Sequence, residues 1–143
     1  MAAPKISIIT PVFEREFEIM RCYSSVSIQK GVDFEWVVVD DGSQDNTLGV
    51  LRSLARKDNR IIVRSNEGKG AQDARWTGVK NSRAEWLFFL DSDDELLPNC
   101  LLNRLKDVST GQRKLYNAHC QYQYGSDTKL WRSSYNQLGF LDS

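Results

Sequence analysis

Four short apolar runs, rich in Val, Ile and aromatic residues, recur at regular intervals along the chain. They are Ile6 to Ile9, Phe34 to Val39, Arg60 to Val63 and Trp86 to Leu90. The runs end near residues 10, 40, 64 and 91, and this spacing is typical of βαβ units, which take roughly 30 residues each. The sequence therefore predicts an α/β fold with a mainly parallel sheet flanked by helices.

Amphipathic segments occupy the intervals between these runs and carry apolar residues at helical spacing. The predicted helices are Glu16 to Gln29, Thr47 to Lys57, Ala71 to Ser82 and Pro98 to about Val108. Ser43 or Asp45 can accept backbone N–H bonds at the start of the second helix. Gly31 is placed to follow the end of the first helix.

The length of 143 residues suits one domain. We expect a single domain over residues 1–143, with a core at 5–108 and a partial or irregular extension at 109–143. Within the extension, Lys114 to Tyr124 predicts one or two strands, whereas Gly125 to Ser143 shows no sustained periodicity.

Charge and composition exclude several classes of protein. Lys plus Arg and Asp plus Glu number 19 each, so no net field favours nucleic acid as a partner. No segment approaches the roughly 18 apolar residues of a membrane span, and the N-terminus has no pattern of a secretory signal, so a cytoplasmic location is expected. The three cysteines, Cys22, Cys100 and Cys120, lack the spacing of a zinc site or a disulfide framework and are expected to be reduced.

Acidic residues follow two of the predicted strands at the point where each strand ends. Asp40-Asp41-Gly42-Ser43 follows Val39, and Asp91-Ser92-Asp93-Asp94 follows Leu90. Parallel α/β sheets bind ligands beyond the carboxyl ends of their strands, and Thr10 to Phe13 ends the first strand at the same edge. Because Mg²⁺ is usually held by one or two carboxylates plus substrate phosphates, a metal-bound nucleotide is the predicted ligand.

Plainer interpretations of these segments remain open. The Asp-Gly pair is also typical of a simple turn, and residues 91–94 also fit a solvated loop that leads into a helix. Gly68-Lys69-Gly70 lacks the P-loop pattern and fits either a mobile loop or a phosphate cradle, while Arg75 is either a surface residue or a ligand. His119 has no partner at metal-ligand spacing, so we expect it to be structural or exposed.

Taken in order, these segments closely resemble the family 2 glycosyltransferases, whose catalytic domains have a Rossmann-like GT-A nucleotide-diphospho-sugar transferase fold. The resemblance covers roughly residues 5–108. It rests on Ile6 to Phe13, Val37 to Ser43, Gly70 to Gly78 with Ala74-Arg75, and Phe88 to Asp94 with its DXD motif. Related enzymes continue with an acceptor-binding half, so the resemblance implies a fold truncated at its C-terminal end.

The resemblance also implies roles for individual residues. The nucleotide-sugar-binding residues would be Thr10, Pro11, Phe13, Asp40, Asp41, Arg75, Asp91 and Ser92. Among them, Asp41 would contact a uracil-like base. Asp93 would bind the Mn²⁺ or Mg²⁺ that bridges the diphosphate, with Asp91 and Asp94 as further ligands.

Three features depart from the family's pattern. Phe13-Glu14 replaces the usual Tyr-Asn pair, and Trp76 follows Arg75 where Asn is usual; both changes bear on donor fit. Neither Asp127 nor Asp142 stands in the Glu-Asp pair that carries the family's general base, so no catalytic base is assigned.

The implied function is metal-dependent, inverting transfer of a sugar from a nucleotide-sugar, a UDP-sugar by preference, to a hydroxyl of a glycan or lipid-linked acceptor in polysaccharide biosynthesis. The alternative is a noncatalytic or truncated module that binds the donor only. A nucleotidyltransferase is a more distant alternative, because the Gly-rich signature after the first strand is missing. Peripheral association with the inner face of the membrane and homo-oligomerisation stay open.

Overall fold

The computed structural model describes the backbone of residues 2–109, 120–124 and 127–131, and the side chains of residues 2–106. Strands and helices alternate through most of the described chain. They are β1 (Ile6–Val12), α1 (Ile19–Ser27), β2 (Phe34–Asp40), α2 (Thr47–Lys57), β3 (Ile61–Ser65), α3 (Gly70–Lys80), β4 (Trp86–Phe89), α4 (Cys100–Ser109), β5 (Cys120–Tyr124) and β6 (Asp127–Trp131).

The chain divides into two compact units, Met1–Lys106 and Asp107–Ser143. In the second unit, β5 and β6 form an antiparallel hairpin, with Cys120 opposite Trp131. A strand in the region after Gly125 was not expected, because five residues with charged and polar positions give no clear alternation without the partner strand. The prediction that the whole chain is one domain stays a prediction.

The first unit contains a four-stranded parallel sheet in the order β3-β2-β1-β4, as predicted. The chain moves outward from β1 to β3 and then returns to the other side of β1 for β4. Such a reversal of strand order creates a crevice at the carboxyl edge of the sheet, beside β1. The sequence motifs at the ends of β1, β2 and β4 all reach this edge.

The two faces of the sheet carry different helices, because successive side chains of a strand point to opposite faces. The residues of the larger core include Ile8, Trp36, Val38, Ile19, Leu51 and Leu101, so α1, α2 and α4 pack on one face. Val37, Val39 and Ala74 form the smaller cluster on the other face. The second face is therefore covered by α3.

Helix α3 approaches the sheet very closely at Gly78. A Cβ atom built on Gly78 would overlap the Cγ2 atom of Ile9 and would also contact Val39. Beyond this contact, Leu87 and Phe89 of β4 lie on the same face as Ile9 by register and are 40% and 52% exposed. The absence of a side chain at residue 78 thus sets the depth at which α3 lies on the sheet.

A buried carboxylate links the amino-terminal ends of three strands. Glu35 accepts hydrogen bonds from Ser7 Oγ at 2.6 Å, from Arg83 N at 2.7 Å and from Arg83 Nε at 2.7 Å, and Ser7 Oγ in turn accepts from Ala84 N at 3.1 Å. Burial acts to raise the pKa of Glu35, but the hydrogen bonds from Ser7 and Arg83 outweigh it and lower that pKa. The network fixes the start of β4 relative to β1 and β2.

The start of α2 follows the prediction, whereas α1 and α4 begin later than expected. Asp45 accepts from Thr47 N at 2.9 Å, and the hydrogen bond from the Thr47 hydroxyl is the main cause that lowers the pKa of Asp45. Glu16 lies in a turn rather than in α1, because its N–H donates to Asp45 and its carboxylate accepts from Asn46 N at 3.0 Å. Pro98 lies in the turn before α4, which begins at Cys100.

Two composition-based expectations are also addressed by the structure. No helix among the described residues is both long and apolar enough to cross a membrane. Among the described side chains, Cys22 and Cys100 are free thiols. His119 and Asp142 lie outside the described residues.

Candidate functional site

A cleft of about 400 Å³ opens at the carboxyl edge of the parallel sheet. It lies beside the ends of β1 and β2, the first half of α3 and the loop that follows β4. Its lining residues are Pro11, Val12, Phe13, Arg15, Asp41, Ala71, Arg75, Asp91, Ser92 and Asp93. Parallel strands place their carboxyl ends at one edge, so residues that are distant in sequence meet here.

Most of the predicted site residues line this cleft. They are Pro11, Phe13, Asp41, Arg75, Asp91, Ser92 and Asp93. The side chains of Thr10 and Asp40 lie behind it, and Asp94 is not part of its lining. The structure thus brings seven predicted residues together and sets three apart, while the role of each residue stays a prediction.

Thr10 and Asp40 are buried because of the alternation of side chains along their strands. Both share the parity of the core residues of β1 and β2, and they are 0% and 4% exposed. The Thr10 hydroxyl accepts the indole N–H of Trp36 at 2.8 Å. The Asp40 carboxylate accepts from Gly42 N, from Ser43 N and, at 2.6 Å, from the Ser43 hydroxyl. Asp40 therefore shapes the Asp-Gly turn, and Asp41 is the carboxylate that faces the cleft.

Asp41 is anchored by the residues that begin α3. Both of its carboxylate oxygens lie 3.0 Å from Gly70 N, and Oδ1 also accepts from Asn66 Nδ2 at 2.6 Å. Gly70 has a φ of +85°, a left-handed conformation that favours glycine. A carboxylate at the amino terminus of a helix is also stabilised by the helix dipole. Asp41 is thus held rigidly while it lines the cleft.

The glycine-rich loop before α3 does not offer free amides to a phosphate. The N–H of Gly68 donates to Asn66 Oδ1 at 3.1 Å, and that of Lys69 donates to Asp73 Oδ2 at 2.9 Å. The N–H of Gly70 is bound to Asp41. The main-chain N–H groups of three successive residues are thus already paired with side chains. In this arrangement the loop cannot act as the phosphate cradle that its composition suggested.

Arg75 lies in the cleft and forms an ion pair with Asp91. Its Nη2 atom is 2.7 Å from Asp91 Oδ1, and the two side chains are 33% and 51% exposed. Arg15 is a second cation in the lining. The cleft therefore presents cations as well as carboxylates, an arrangement that can accept a divalent cation together with the anionic groups that it carries.

The acidic turn after β4, formed by residues 91–94, contacts two side chains of α1. Asp94 N donates to Asp91 O at 3.1 Å, the Cys22 thiol lies 3.9 Å from Asp91 O, and Arg21 Nη2 lies 3.4 Å from Asp93 O. Partial desolvation, followed by the charges of Asp93 and Asp91, raises the pKa of Asp94.

The carboxylates of this acidic turn also affect the neighbouring thiol of Cys22. Burial, followed by the charges of Asp94 and Asp93, raises the pKa of Cys22 to about 12. Its thiol is therefore protonated at neutral pH and is not a nucleophile.

The donor set of the acidic turn fits Mn²⁺ or Mg²⁺ with substrate ligands. Asp91 and Asp93 offer carboxylate oxygens, which are the ligands that hard cations take. Within residues 2–106, no group of three or more His, Cys, Asp or Glu side chains is arranged to hold a metal. A cation here would therefore share its coordination with substrate phosphates, as is usual for Mg²⁺.

The chain matches Glycosyl transferase family 2 over residues 7–141. It belongs to this family. As a family 2 glycosyltransferase chain, it is 31% identical over 115 residues to the GalNAc(5)-diNAcBac-PP-undecaprenol beta-1,3-glucosyltransferase of Campylobacter jejuni, covering 79% of this chain and 37% of that protein. It is 38% identical over 97 residues to a PGL/p-HBAD biosynthesis glycosyltransferase of Mycobacterium tuberculosis, covering 67% and 38% respectively.

A solved structure confirms the GT-A fold of this family 2 glycosyltransferase chain. TarS of S. aureus in complex with UDP-GlcNAc has a TM-score of 0.62 and 32% identity, and the match covers 74% of this chain and 30% of TarS. The same protein has also been solved with UDP. The chain thus spans less than two fifths of the length of these relatives.

The two substitutions relative to the family pattern, at Phe13-Glu14 and at Trp76, lie in different surroundings. Phe13, which replaces the usual Tyr, lines the cleft and is 51% exposed. Its position at the rim is fixed through the following residues, since Glu14 N donates to Ser43 Oγ and Arg15 N donates to Thr47 Oγ1. Trp76 is exposed and is not part of the cleft lining. Of the two, only the change at residue 13 directly alters the cleft wall.

Proposed function

We propose that this chain binds a UDP-sugar in the cleft and supplies the donor site for glycosyl transfer to a hydroxyl of a glycan or lipid-linked acceptor. The observation that carries the proposal is the meeting of Asp41 with Arg75, Asp91 and Asp93 in one cleft at the carboxyl edge of the sheet. The UDP and UDP-GlcNAc complexes of TarS support the choice of donor. The name of the C. jejuni relative includes an undecaprenol-linked glycan, which supports a lipid-linked acceptor. Action from the cytoplasm, at the inner face of the membrane, is part of the proposal.

The base end of the donor site is built around Asp41. Its carboxylate accepts the N–H group on the Watson–Crick edge of uracil, while Pro11 and Phe13 supply apolar contacts to the ring. An ionised carboxylate can accept hydrogen bonds but cannot donate them, so it matches a base that presents a donor. The anchoring of Asp41 by Gly70 N reduces the entropy lost when the base binds.

The diphosphate end is built around Asp91, Asp93 and Arg75. Asp93 and Asp91 would hold Mn²⁺ or Mg²⁺, with Asp94 behind them as a further ligand, and a cation bound there would act as a Lewis acid toward the diphosphate. Arg75 shares its charge between Asp91 and the phosphate oxygens, and Ser92 offers a hydroxyl to the donor. These residues stabilise negative charge where the leaving group develops it.

The reaction that this site serves is proposed to be inverting. The oxygen of the acceptor hydroxyl forms a bond to the anomeric carbon, the bond from that carbon to the diphosphate breaks, and the acceptor proton passes to a base. Asp41, Arg75, Asp91 and Asp93 all act on the donor, so the base and the acceptor contacts belong to other residues. Consequently, a module that binds the donor without turnover is the second candidate.

Isothermal titration tests the donor site. UDP and UDP-GlcNAc would be titrated with and without Mn²⁺ into the wild type, Asp93→Ala, Asp41→Ala and the control Asp33→Ala, which removes an exposed carboxylate outside the cleft. We expect Mn²⁺-dependent binding that weakens at least about tenfold in the first two variants, because each loses an interaction with a charged group. Binding that is indifferent to both Mn²⁺ and Asp93 would contradict the proposal.

A turnover assay separates the two candidates. The wild type and Asp93→Ala would be incubated with UDP-sugars and with polyprenyl-linked or free glycan acceptors, and released UDP would be measured. Release that depends on Asp93 supports transfer and rules out a binding-only module. Tight binding without release would favour the module.

A further inference from the structure

Asn66 is hydrogen-bonded at both ends of its side-chain amide, although it does not line the cleft. Its Nδ2 atom donates to Asp41 Oδ1 at 2.6 Å and to Gly70 O at 3.2 Å. Its Oδ1 atom accepts from Gly68 N at 3.1 Å and from Thr77 Oγ1 at 3.2 Å. One side chain therefore links the end of β2, the loop before α3 and the body of α3.

These partners fit the amide in one orientation only. A flip would bring the amide oxygen against the Asp41 carboxylate and the NH₂ group against the N–H of Gly68, and both contacts would be repulsive. The main chain is fixed as well, since Asn66 N donates to Asp40 O at 2.8 Å. Thr77 is 2% exposed, and its hydroxyl also accepts from Glu67 N at 3.3 Å. Asn66 is thus held by several hydrogen bonds, most of them partly buried, before any ligand binds.

The arrangement makes the two oxygens of Asp41 unequal. Each carboxylate oxygen has about two lone-pair sites. Oδ1 accepts from both Asn66 and Gly70, whereas Oδ2 accepts from Gly70 alone. Oδ2 is therefore the oxygen with capacity left for a ligand in the cleft.

We propose that Asn66 is a positioning residue that sets nucleobase selectivity by directing Asp41 Oδ2 toward the base. The inference rests on the proposed function, in which Asp41 reads uracil. Uracil presents an N–H donor at N3, whereas cytosine presents an acceptor at the same position. With the carboxylate held in place, UDP is favoured and CDP is disfavoured. Without Asn66, the carboxylate rotates about its side-chain torsions and the distinction decreases.

The test compares UDP and CDP affinities, with Mn²⁺ present, in four proteins. Asn66→Ala removes the positioning amide, and Thr77→Val removes the hydroxyl that holds the amide while keeping the side-chain shape. Asn81→Ala is the matched control, because the Asn81 amide also bonds at both ends, to Arg64 Nε at 2.9 Å and to Thr77 O at 2.8 Å, but lies at the other end of α3. Urea unfolding of each protein measures the accompanying change in stability.

We expect the wild type and Asn81→Ala to prefer UDP to the same degree. Asn66→Ala should weaken UDP binding by roughly tenfold, the effect of one hydrogen bond to a charged group, while CDP binding changes by less than about threefold, so the UDP/CDP ratio decreases. Thr77→Val should lower the ratio in the same direction by a smaller factor, and it carries the test if Asn66→Ala fails to fold.

Two results would overturn the inference in distinguishable ways. A UDP/CDP ratio that stays at the wild-type value in Asn66→Ala and Thr77→Val, even with both affinities reduced, means that Asn66 is merely structural and leaves the proposed function intact. A wild type that binds neither nucleotide overturns the proposed function together with the inference.

Discussion

Replacing Glu35 by glutamine should destabilise the fold by about 2 kcal/mol near neutral pH, and by progressively less in acid. Glutamine keeps the shape of the side chain, and its amide oxygen still accepts from Ser7 Oγ and from Arg83 N. Its NH₂ group, however, takes the place of the oxygen that accepts from Arg83 Nε, so two hydrogen-bond donors face each other. One charge-assisted hydrogen bond is lost.

 The glutamine NH₂ group and the Arg83 guanidinium cannot accept from each other, so we expect the guanidinium to be hydrated by solvent instead.

The magnitude follows from the burial of the two partners. Hydrogen bonds to charged groups contribute about 1.5–3 kcal/mol each. The Glu35 side chain is 2% exposed, but that of Arg83 is 66% exposed. Since the released guanidinium is easily hydrated, the penalty of an unpaired buried charge is avoided, and we expect a value in the lower half of that range.

The dependence on pH has a definite sign. The pKa of Glu35 is lower in the folded protein than its ordinary value, so the unfolded chain binds the proton more tightly. The stability that the carboxylate contributes is fully present above the unfolded pKa, roughly 4.3, and is lost as the pH falls through the folded pKa. Glutamine does not titrate, so the difference in stability between wild type and variant should shrink below about pH 4.

Urea unfolding of wild type, Glu35→Gln and the control Glu85→Gln, measured between pH 3 and pH 7, checks both statements. Glu85 is an exposed carboxylate in the connection between α3 and β4, which also contains Arg83. Its replacement should therefore change the free energy of unfolding by less than about 0.5 kcal/mol. A Glu35→Gln variant as stable as wild type at pH 7, or a difference that is the same at pH 3 and pH 7, would refute the reasoning.

Two further substitutions test the helix that borders the cleft. Gly78→Ala should destabilise the protein by about 1–3 kcal/mol, because the new methyl group overlaps the fully buried Ile9; an unchanged urea midpoint would show that α3 can move away freely. Arg75→Met should change the free energy of unfolding by less than about 1 kcal/mol, since its ion pair with Asp91 is partly exposed. By contrast, titration should reveal UDP affinity weakened by roughly tenfold, and undiminished affinity would remove Arg75 from the donor site.

The order of strands and helices was predictable because each element carries a strong local pattern. Residues 34–40 and 47–57 have the apolar spacing of a strand and of a helix, and the structure has elements at these positions. The positions of Thr10 and Asp40 were also encoded in the sequence, through the alternation that pairs them with Ile8 and Val38. The motifs themselves carry no information on that alternation, and for this reason both residues were expected in the cleft.

Other features depend on contacts that no local pattern reveals. The role of Asn66 requires knowing that the end of β3 lies beside Asp41, a pair separated by 25 residues. Likewise, Gly68-Lys69-Gly70 has the composition of an anion-binding loop, and only the positions of Asn66, Asp73 and Asp41 determine that its amides are already used. Glu35 gave a partial signal, as a charged residue between Phe34 and Trp36, but its partners are Ser7 of β1 and Arg83 in the connection before β4.

The anchoring of Asp41 by the main chain of Gly70 determines which mutations the loop before α3, residues 66–70, can accommodate. A main-chain amide is supplied by every residue except proline, and the φ of +85° at residue 70 further restricts that one position to glycine. Substitutions at Glu67 or Lys69 leave the anchoring N–H in place, whereas an inserted or deleted residue between Asn66 and Gly70 would carry it out of reach. The loop is therefore open to variation in chemistry but closed to variation in length.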